Sequence, residues 1–205
     1  DDVQRQAFKV EEYRKPEFEV TLQADRSNIV NGNRVQLTVE AKTYFGAPLS
    51  NARLMLNQLT HTYSEWWYGA DSQDMWNSLQ AEEPLGMTDA DGRWSGWIDL
   101  KVPDYFFNGY YYDNRHTVPV LLEVMANDNS GQAVGAQARV TVHDAALDVS
   151  GGLDRYMYKP GETITAKAMT RDIDGKPRVG ESITVKVLKW SGQKYNQVMA
   201  QAEAV

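Results

Sequence analysis

Val35-Gln36-Leu37-Thr38-Val39-Glu40-Ala41 alternates apolar and polar residues without a break. A β-strand points successive side chains to opposite faces, so this period of two buries one face and wets the other. A helix would scatter the same four apolar residues around its circumference. The pattern recurs on both sides. Upstream stand Phe18, Val20 and Leu22; downstream come Leu54 and Leu56. Ile98, Leu100 and Val102 follow Trp94, which is expected to be a core residue of its strand. Val118, Val120, Leu122 and Val124 form the next run, and Ala136, Ala138, Val140 and Val142 the last before residue 145. Asn31-Gly32, Gly46-Ala47-Pro48, Asp91-Gly92 and Asn129-Ser130-Gly131 separate these runs with residues that turn the chain. No stretch reads as a long amphipathic helix. Roughly seven short alternating strands per unit predict an all-β chain, an antiparallel seven-stranded sandwich.

Composition narrows the function. The chain has 205 residues, and its 21 Lys and Arg against 28 Asp and Glu leave a net charge of −7. An acidic chain lacks the positive field that phosphate backbones require, so no nucleic-acid partner is expected. No apolar run approaches the roughly 20 residues of a helical membrane span, so no membrane span is expected. The absence of cysteine excludes disulfides, thiolate metal sites and a cysteine nucleophile. The chain begins Asp1-Asp2-Val3, which reads as a piece of something longer.

The sequence also repeats itself at an offset of 129, seen by laying Asp154-Arg155 over Asp25-Arg26. Without a gap, Gly32 falls on Gly161, Gly46 on Gly175 and Pro48 on Pro177. Val35, Leu37 and Val39 fall on Ile164, Ala166 and Ala168, and Leu54 and Leu56 on Ile183 and Val185. The identities sit where backbone geometry demands Gly or Pro, so a strand–turn–strand frame is what repeats. Two tandem copies are expected, one over residues 16–144 and a second, partial one over residues 145–205. Val205 matches Trp76, about halfway through the first copy. Half a sandwich leaves an inner face uncovered and strand edges unpaired, which invites association. Phe8 and Val10 alternate as a strand would, and residues 1–15 are expected to be the last strand of a preceding domain or a linker.

Phe8-Lys9-Val10-Glu11-Glu12-Tyr13-Arg14-Lys15-Pro16-Glu17-Phe18-Glu19-Val20 resembles a junction between macroglobulin-like domains in the alpha-2-macroglobulin family. Thr43-Tyr44-Phe45-Gly46-Ala47-Pro48-Leu49-Ser50-Asn51-Ala52 is similar to that family's hairpin into the third strand, and Tyr158-Lys159-Pro160-Gly161-Glu162 to a turn near the start of its domains. The Arg14–Phe18 form and the lack of cysteine look like the bacterial branch. The resemblance implies immunoglobulin- or fibronectin-III-like sandwiches acting as framework in a large protease inhibitor. That inhibitor cages proteases by conformational change after a bait segment is cut. It also implies neighbouring macroglobulin-like domains as partners, target proteases engaged through the full-length protein, and a periplasmic location, with some members lipid-anchored to the inner membrane. Without cysteine this chain cannot hold the family's Cys–Gln thioester, and no segment reads as bait.

The chemistry-bearing residues form no motif. Asp89-Ala90-Asp91-Gly92 invites a calcium-loop reading, but aligning Gly92 with the loop glycine puts Met87 and Ile98 at ligand positions, where neither can ligate. A hairpin turn is expected there, and likewise at Asp172-Ile173-Asp174-Gly175. His61, His116 and His143 stand far apart with no motif partner, so no catalytic residue, metal site or cofactor is expected. The aromatic clusters stand out: Trp66, Trp67, Tyr68 and Trp76 in one connection, and Tyr105-Phe106-Phe107 with Tyr110 and Tyr111 in another. Long connections carrying Trp and Tyr suit a protein or inter-domain contact. They also suit packing of the two insertions on each other, because exposing so much apolar ring area is costly. A carbohydrate-binding or adhesin module using the Trp66–Trp76 loop is the rival function, and a β-sandwich glycosidase fragment a third.

Overall fold

A computed structural model describes residues 17–63, 74–107, 116–190, 192 and 195–205. Thirteen strands are found among them, and the one helical element is a 3-10 turn at Asp104–Phe106. Strands β1 (Phe18–Ala24), β3 (Arg34–Thr43) and β7 (Arg93–Asp99) form a sheet in the order β1-β3-β7. A second sheet has the order β2-β9-β8-β4-β5, built from β2 (Asn28–Val30), β4 (Arg53–Tyr63), β5 (Asp74–Ser78), β8 (Thr117–Asn127) and β9 (Ala133–His143). β6 (Glu83–Met87) also pairs with β4. Two hairpins follow: β10 (Leu147–Leu153) with β11 (Ala166–Asp172), and β12 (Ile183–Trp190) with β13 (Tyr195–Ala204). The chain is all-β, with almost every pairing antiparallel.

The chain divides into two compact units. The first centres on Val35–Ile98 and Val120–Val140 together with β1. Its interior is the alternation read from the sequence: Phe18, Val35, Leu37, Val39, Leu54, Leu56, Leu122 and Val124 are each no more than 1% exposed. Each such side chain contributes about 1.5–3 kcal/mol relative to leaving it in water. Arg53 to Thr60 of β4 pair residue for residue with Asn127 to Val120 of β8, which brings Leu56 opposite Val124. Thr88 is the buried polar pin of this unit. Its hydroxyl donates to the Leu49 carbonyl at 2.6 Å and accepts from the Ala52 amide at 2.9 Å, so its burial leaves no polar atom unpaired.

Trp94 is only half-buried; its ring lies across Gly96, two residues on, where an added Cβ would come within 2.6 Å of the indole. It is a lid on its own strand and not the core residue the alternation suggests. The connection carrying Trp76 is also shorter than expected, because Asp74–Ser78 and Glu83–Met87 are strands on β4. Neither alternates: β6 is Glu83-Pro84-Leu85-Gly86-Met87, mostly exposed at the sheet margin.

The second unit comprises Arg26–Arg34, Asp99–Pro119 and Thr141–Val205. At one end, β2 runs parallel to Thr141–His143 of β9 and buries Ile29 among the apolar residues of this part, which include Leu100, Val102, Val118 and Val142. Asn31 fastens the arrangement by replacing strand partners with its side chain. Its Nδ2 donates to the Val102 carbonyl at 2.9 Å and its Oδ1 accepts from the Val102 amide at 2.8 Å. Elsewhere the unit holds β10–β11 and β12–β13.

The offset of 129 recurs in hydrogen-bond register. Phe18 pairs with Thr43 and Leu147 with Asp172; Ala24 pairs with Leu37 and Leu153 with Ala166. The isolated bridge Lys42–Pro48 matches Arg171–Pro177. Leu49 donates to Ala41 and Arg178 to Thr170, while Gly46 donates to Thr43 and Gly175 to Asp172. Asn51, at φ 59°, stands where the second copy has Gly180 at φ 85°.

Candidate functional site

The second unit brings two of the three histidines to one cavity of about 270 Å³, although no motif links them in sequence. His116 enters β8 and His143 closes β9; the Asp144 amide donates to the His116 carbonyl at 3.1 Å, so the two lie across a strand pair. His116 Nδ1 meets Asp144 Oδ2 at 2.9 Å. That hydrogen bond, helped by the Asp144 charge, raises the His116 pKa above its ordinary 6.5. His143 is treated oppositely: burial disfavours its charged form and lowers its pKa, with Asp144, Asp148 and Asp174 opposing the shift. Its Nε2 lies 3.2 Å from Asn28 Oδ1, and Asn28 Nδ2 donates to Asp174 Oδ1 at 3.3 Å. Since a carbonyl oxygen only accepts, His143 carries its proton on Nε2 in this contact. Asp148, Arg171 and Asp172 complete the wall.

A His–Asp pair orients an imidazole, but among the described residues no hydroxyl is hydrogen-bonded to either ring as a nucleophile would be. The chain His143–Asn28–Asp174 links β9 and β2 to the turn after β11 through side chains alone. Sequence reasoning missed this cluster because the histidines stand 27 positions apart. The signal was present in the two long alternating runs on either side of Asn129-Ser130-Gly131, whose antiparallel pairing places their far ends together.

The acidic turns are turns. Asp89 Oδ1 accepts from the amides of Asp91 at 2.9 Å and Arg93 at 2.8 Å. Asp172 Oδ1 does the same for Asp174 and Lys176, at 3.1 and 2.9 Å. Each carboxylate is engaged by its own backbone. Of the aromatic contact candidates, Trp66, Trp67, Tyr68, Tyr110 and Tyr111 lie outside the described residues. On β5 the Trp76 backbone pairs with His61 of β4, and the Trp76 side chain also lies outside the described residues. In the second connection, Tyr105 is exposed with its ring centroid 4.5 Å from that of Phe106, while Phe107 is buried.

The strands, turns and register define a class, an all-β chain of antiparallel sheets and hairpins in which one strand–turn–strand frame occurs twice. No protein-family model matches the chain. It is similar to the alpha-2-macroglobulin of Thermotoga maritima, 25% identical over 174 residues, which is 84% of this chain and 10% of that protein. Among solved structures it is similar to the native conformation of E. coli alpha-2-macroglobulin, with a TM-score of 0.46 and 11% identity, covering 94% of this chain and 14% of the other. The trypsin-activated E. coli protein gives 0.48 and 10% over the same shares, and a Salmonella alpha-2-macroglobulin reacted with methylamine gives 0.45 and 12%, covering 95% and 14%. The chain thus spans about a tenth of the curated relative's length, while the likeness covers most of the chain itself.

Proposed function

We propose that the chain is structural framework of a bacterial alpha-2-macroglobulin, two tandem modules over residues 16–144 and 145–205 that carry strain between neighbours and perform no chemistry. The observation that carries this reading is the repeat in hydrogen-bond register, because a module copied bond for bond is how a long scaffold is built. The sequence likeness to an alpha-2-macroglobulin supports it. The parent is a broad-spectrum endopeptidase inhibitor in the periplasm that traps proteases after bait cleavage. Its partners here are the adjoining macroglobulin-like domains. The His143–Asn28–Asp174 contacts hold the turn after β11 beside the end of β9, and His116–Asp144 ties the start of β8 to that same end, which suits a part that transmits movement.

Two measurements test this. Mixed with trypsin, elastase or subtilisin, the isolated chain leaves hydrolysis of a protein substrate unchanged; stoichiometric protection of that substrate refutes the framework role. Antibodies raised against the chain detect, in fractionated source cells, a periplasmic band far heavier than 23.2 kDa. A cytosolic band at the chain's own mass refutes the parent and its location.

A further inference from the structure

We propose that Asn31 is a modification site that the fold keeps closed. In the unfolded chain its side-chain amide is lost by cyclisation onto the Gly32 nitrogen, and the product cannot rebuild the clamp on Val102. Asn31-Gly32 is one of two Asn-Gly pairs in the sequence, the other being Asn108-Gly109. Asparagine before glycine is chemically labile, because glycine has no side chain to shield its nitrogen. The reaction needs only water. The Gly32 nitrogen attacks Asn31 Cγ, the new N–Cγ bond closes a succinimide ring, and the Cγ–Nδ2 bond breaks. Ammonia leaves with the proton that the Gly32 nitrogen gives up. Water then opens the ring at Cγ to give aspartate, or at the Asn31 backbone carbonyl carbon to give isoaspartate. Either opening returns a proton to the Gly32 nitrogen.

In the folded chain both reacting groups are engaged elsewhere. The Asn31 amide group is held at two points by the Val102 backbone, at 2.9 and 2.8 Å. Gly32 donates its N–H to the Leu100 carbonyl at 3.0 Å. Attack requires all three bonds to break together, so it proceeds only from an opened state and as rarely as that state is visited. The turn by itself does not call for asparagine. The second copy makes it with Pro160-Gly161: Glu162 donates to Lys159 at 3.1 Å, as Asn33 does to Val30, and Gly161 and Gly32 hold φ 90° and 81°. Pro160 has no amide to lose and none to clamp with. What Asn31 adds is attachment. Its backbone amide donates to the His143 carbonyl at 2.8 Å while its side chain holds Val102, so one residue ties the end of the three-residue β2 to two neighbours. Deamidation puts a carboxylate oxygen where Nδ2 stood, against the Val102 carbonyl, and two acceptors then face each other with no proton between them. Isoaspartate also inserts an extra carbon into the backbone and shifts the Gly32 nitrogen out of register with Leu100.

The full chain is aged at mildly alkaline pH, folded in buffer and unfolded in guanidinium chloride, and residue 31 is followed by peptide mass spectrometry. Asn108-Gly109 is the clock in denaturant, where the two pairs should react at similar rates. In buffer residue 31 should react at least about ten-fold more slowly than in denaturant. Unfolded chains aged for increasing times are then diluted into buffer, and the refolded fraction is separated by gel filtration. Asparagine should persist at position 31 in that fraction, while aspartate and isoaspartate collect among the chains that fail to refold. Asn31→Asp makes one product directly and should lower the folded-to-unfolded ratio about ten-fold or more. If that variant does not fold at all, the ageing of the natural sequence decides. Three results overturn the proposal. Equal rates in buffer and denaturant mean that the fold does not hold the side chain. No reaction at residue 31 in denaturant, while Asn108 reacts, means that the site is not labile. Deamidated chains spread evenly between the two fractions, or an unchanged Asn31→Asp midpoint, mean that the clamp is dispensable.

Discussion

The first and second copies share their turns bond for bond and differ in their interiors. Lys42–Pro48 and Arg171–Pro177 are the same bridge in the same register. Yet Leu37 is fully buried and its counterpart Ala166 is exposed; Ile29 is 1% exposed, while its counterpart Tyr158 is half-exposed and bonded to Asp154. Turn geometry is written locally, in Gly, Pro, Asn and Asp side chains that need only their own backbone. Core burial needs strands from far along the chain, and the second copy has only two hairpins among the described residues.

The largest expected effects come from the buried positions. Leu37→Ala is expected to cost about 2–5 kcal/mol, read as a lower urea midpoint at unchanged slope. Ala166→Leu, the reverse change in the second copy, should move the midpoint by less than about 1 kcal/mol, because Ala166 is exposed and lines an open space of about 670 Å³. If Ala166→Leu destabilises as overpacking does, the second interior is closed and the contrast fails. Gly92→Ala comes next. An added Cβ would meet the Ala41 carbonyl at 2.3 Å and the Leu49 amide at 2.9 Å, on a backbone at φ +72°. Backbone on both sides cannot yield, so about 2–4 kcal/mol is expected. Gly175→Ala shares the left-handed backbone but meets nothing within 4 Å, and should cost only about 1–2 kcal/mol. Equal losses at the two glycines would mean that the clash at residue 92 is relieved at no cost.

Smaller effects come from the histidines, whose signs are opposite. The raised His116 pKa adds stability that is present in full below the unfolded value near 6.5 and disappears as pH rises through the higher folded value. The lowered His143 pKa does the reverse: stability present above 6.5 is lost as pH falls through its folded value. His116→Ala should therefore lose more midpoint at pH 5 than at pH 8, modestly, because water screens an exposed pair. His143→Gln, which keeps a donor toward Asn28, should gain on the acid side. Identical pH profiles for both variants would show that the two rings do not titrate against opposite environments.

The same division between local and distant explains what the sequence disclosed. Period-two alternation marked β1, β3, β4, β8 and β9, because one face of each meets a core. β2, β5 and β6 escaped notice because three residues cannot show a period and marginal strands have no face to hide. The repeat was legible because its identities sit at turns. The cavity beside His116 and His143 was not, since its polar residues come together only through pairing across the β8–β9 hairpin and from β10 and β11 further along the chain. Trp94 misled because an indole in an alternating run can fold over its neighbour Gly96 instead of entering the interior.

The smallest expected effect is also the sharpest test of whether the turns are locally written. Asn51 holds φ 59° and donates its amide to the Thr88 carbonyl at 3.0 Å; Gly180 holds φ 85° with open space where a Cβ would stand. Asn tolerates the left-handed region better than other residues with a side chain, while Gly enters it freely but surrenders more entropy from the unfolded chain. These terms oppose each other, so Asn51→Gly and Gly180→Asn should each shift stability by no more than about 0.5–1 kcal/mol, with opposite signs. A β-branched residue has neither advantage, and Asn51→Val should cost clearly more. Midpoints for the two exchanges and for the double exchange decide the matter. Mirrored, additive shifts mean that one turn has been copied whole. A Gly180→Asn loss several times the Asn51→Gly change would mean that the second turn depends on its surroundings, and the register match between the copies would then be a likeness of outline only.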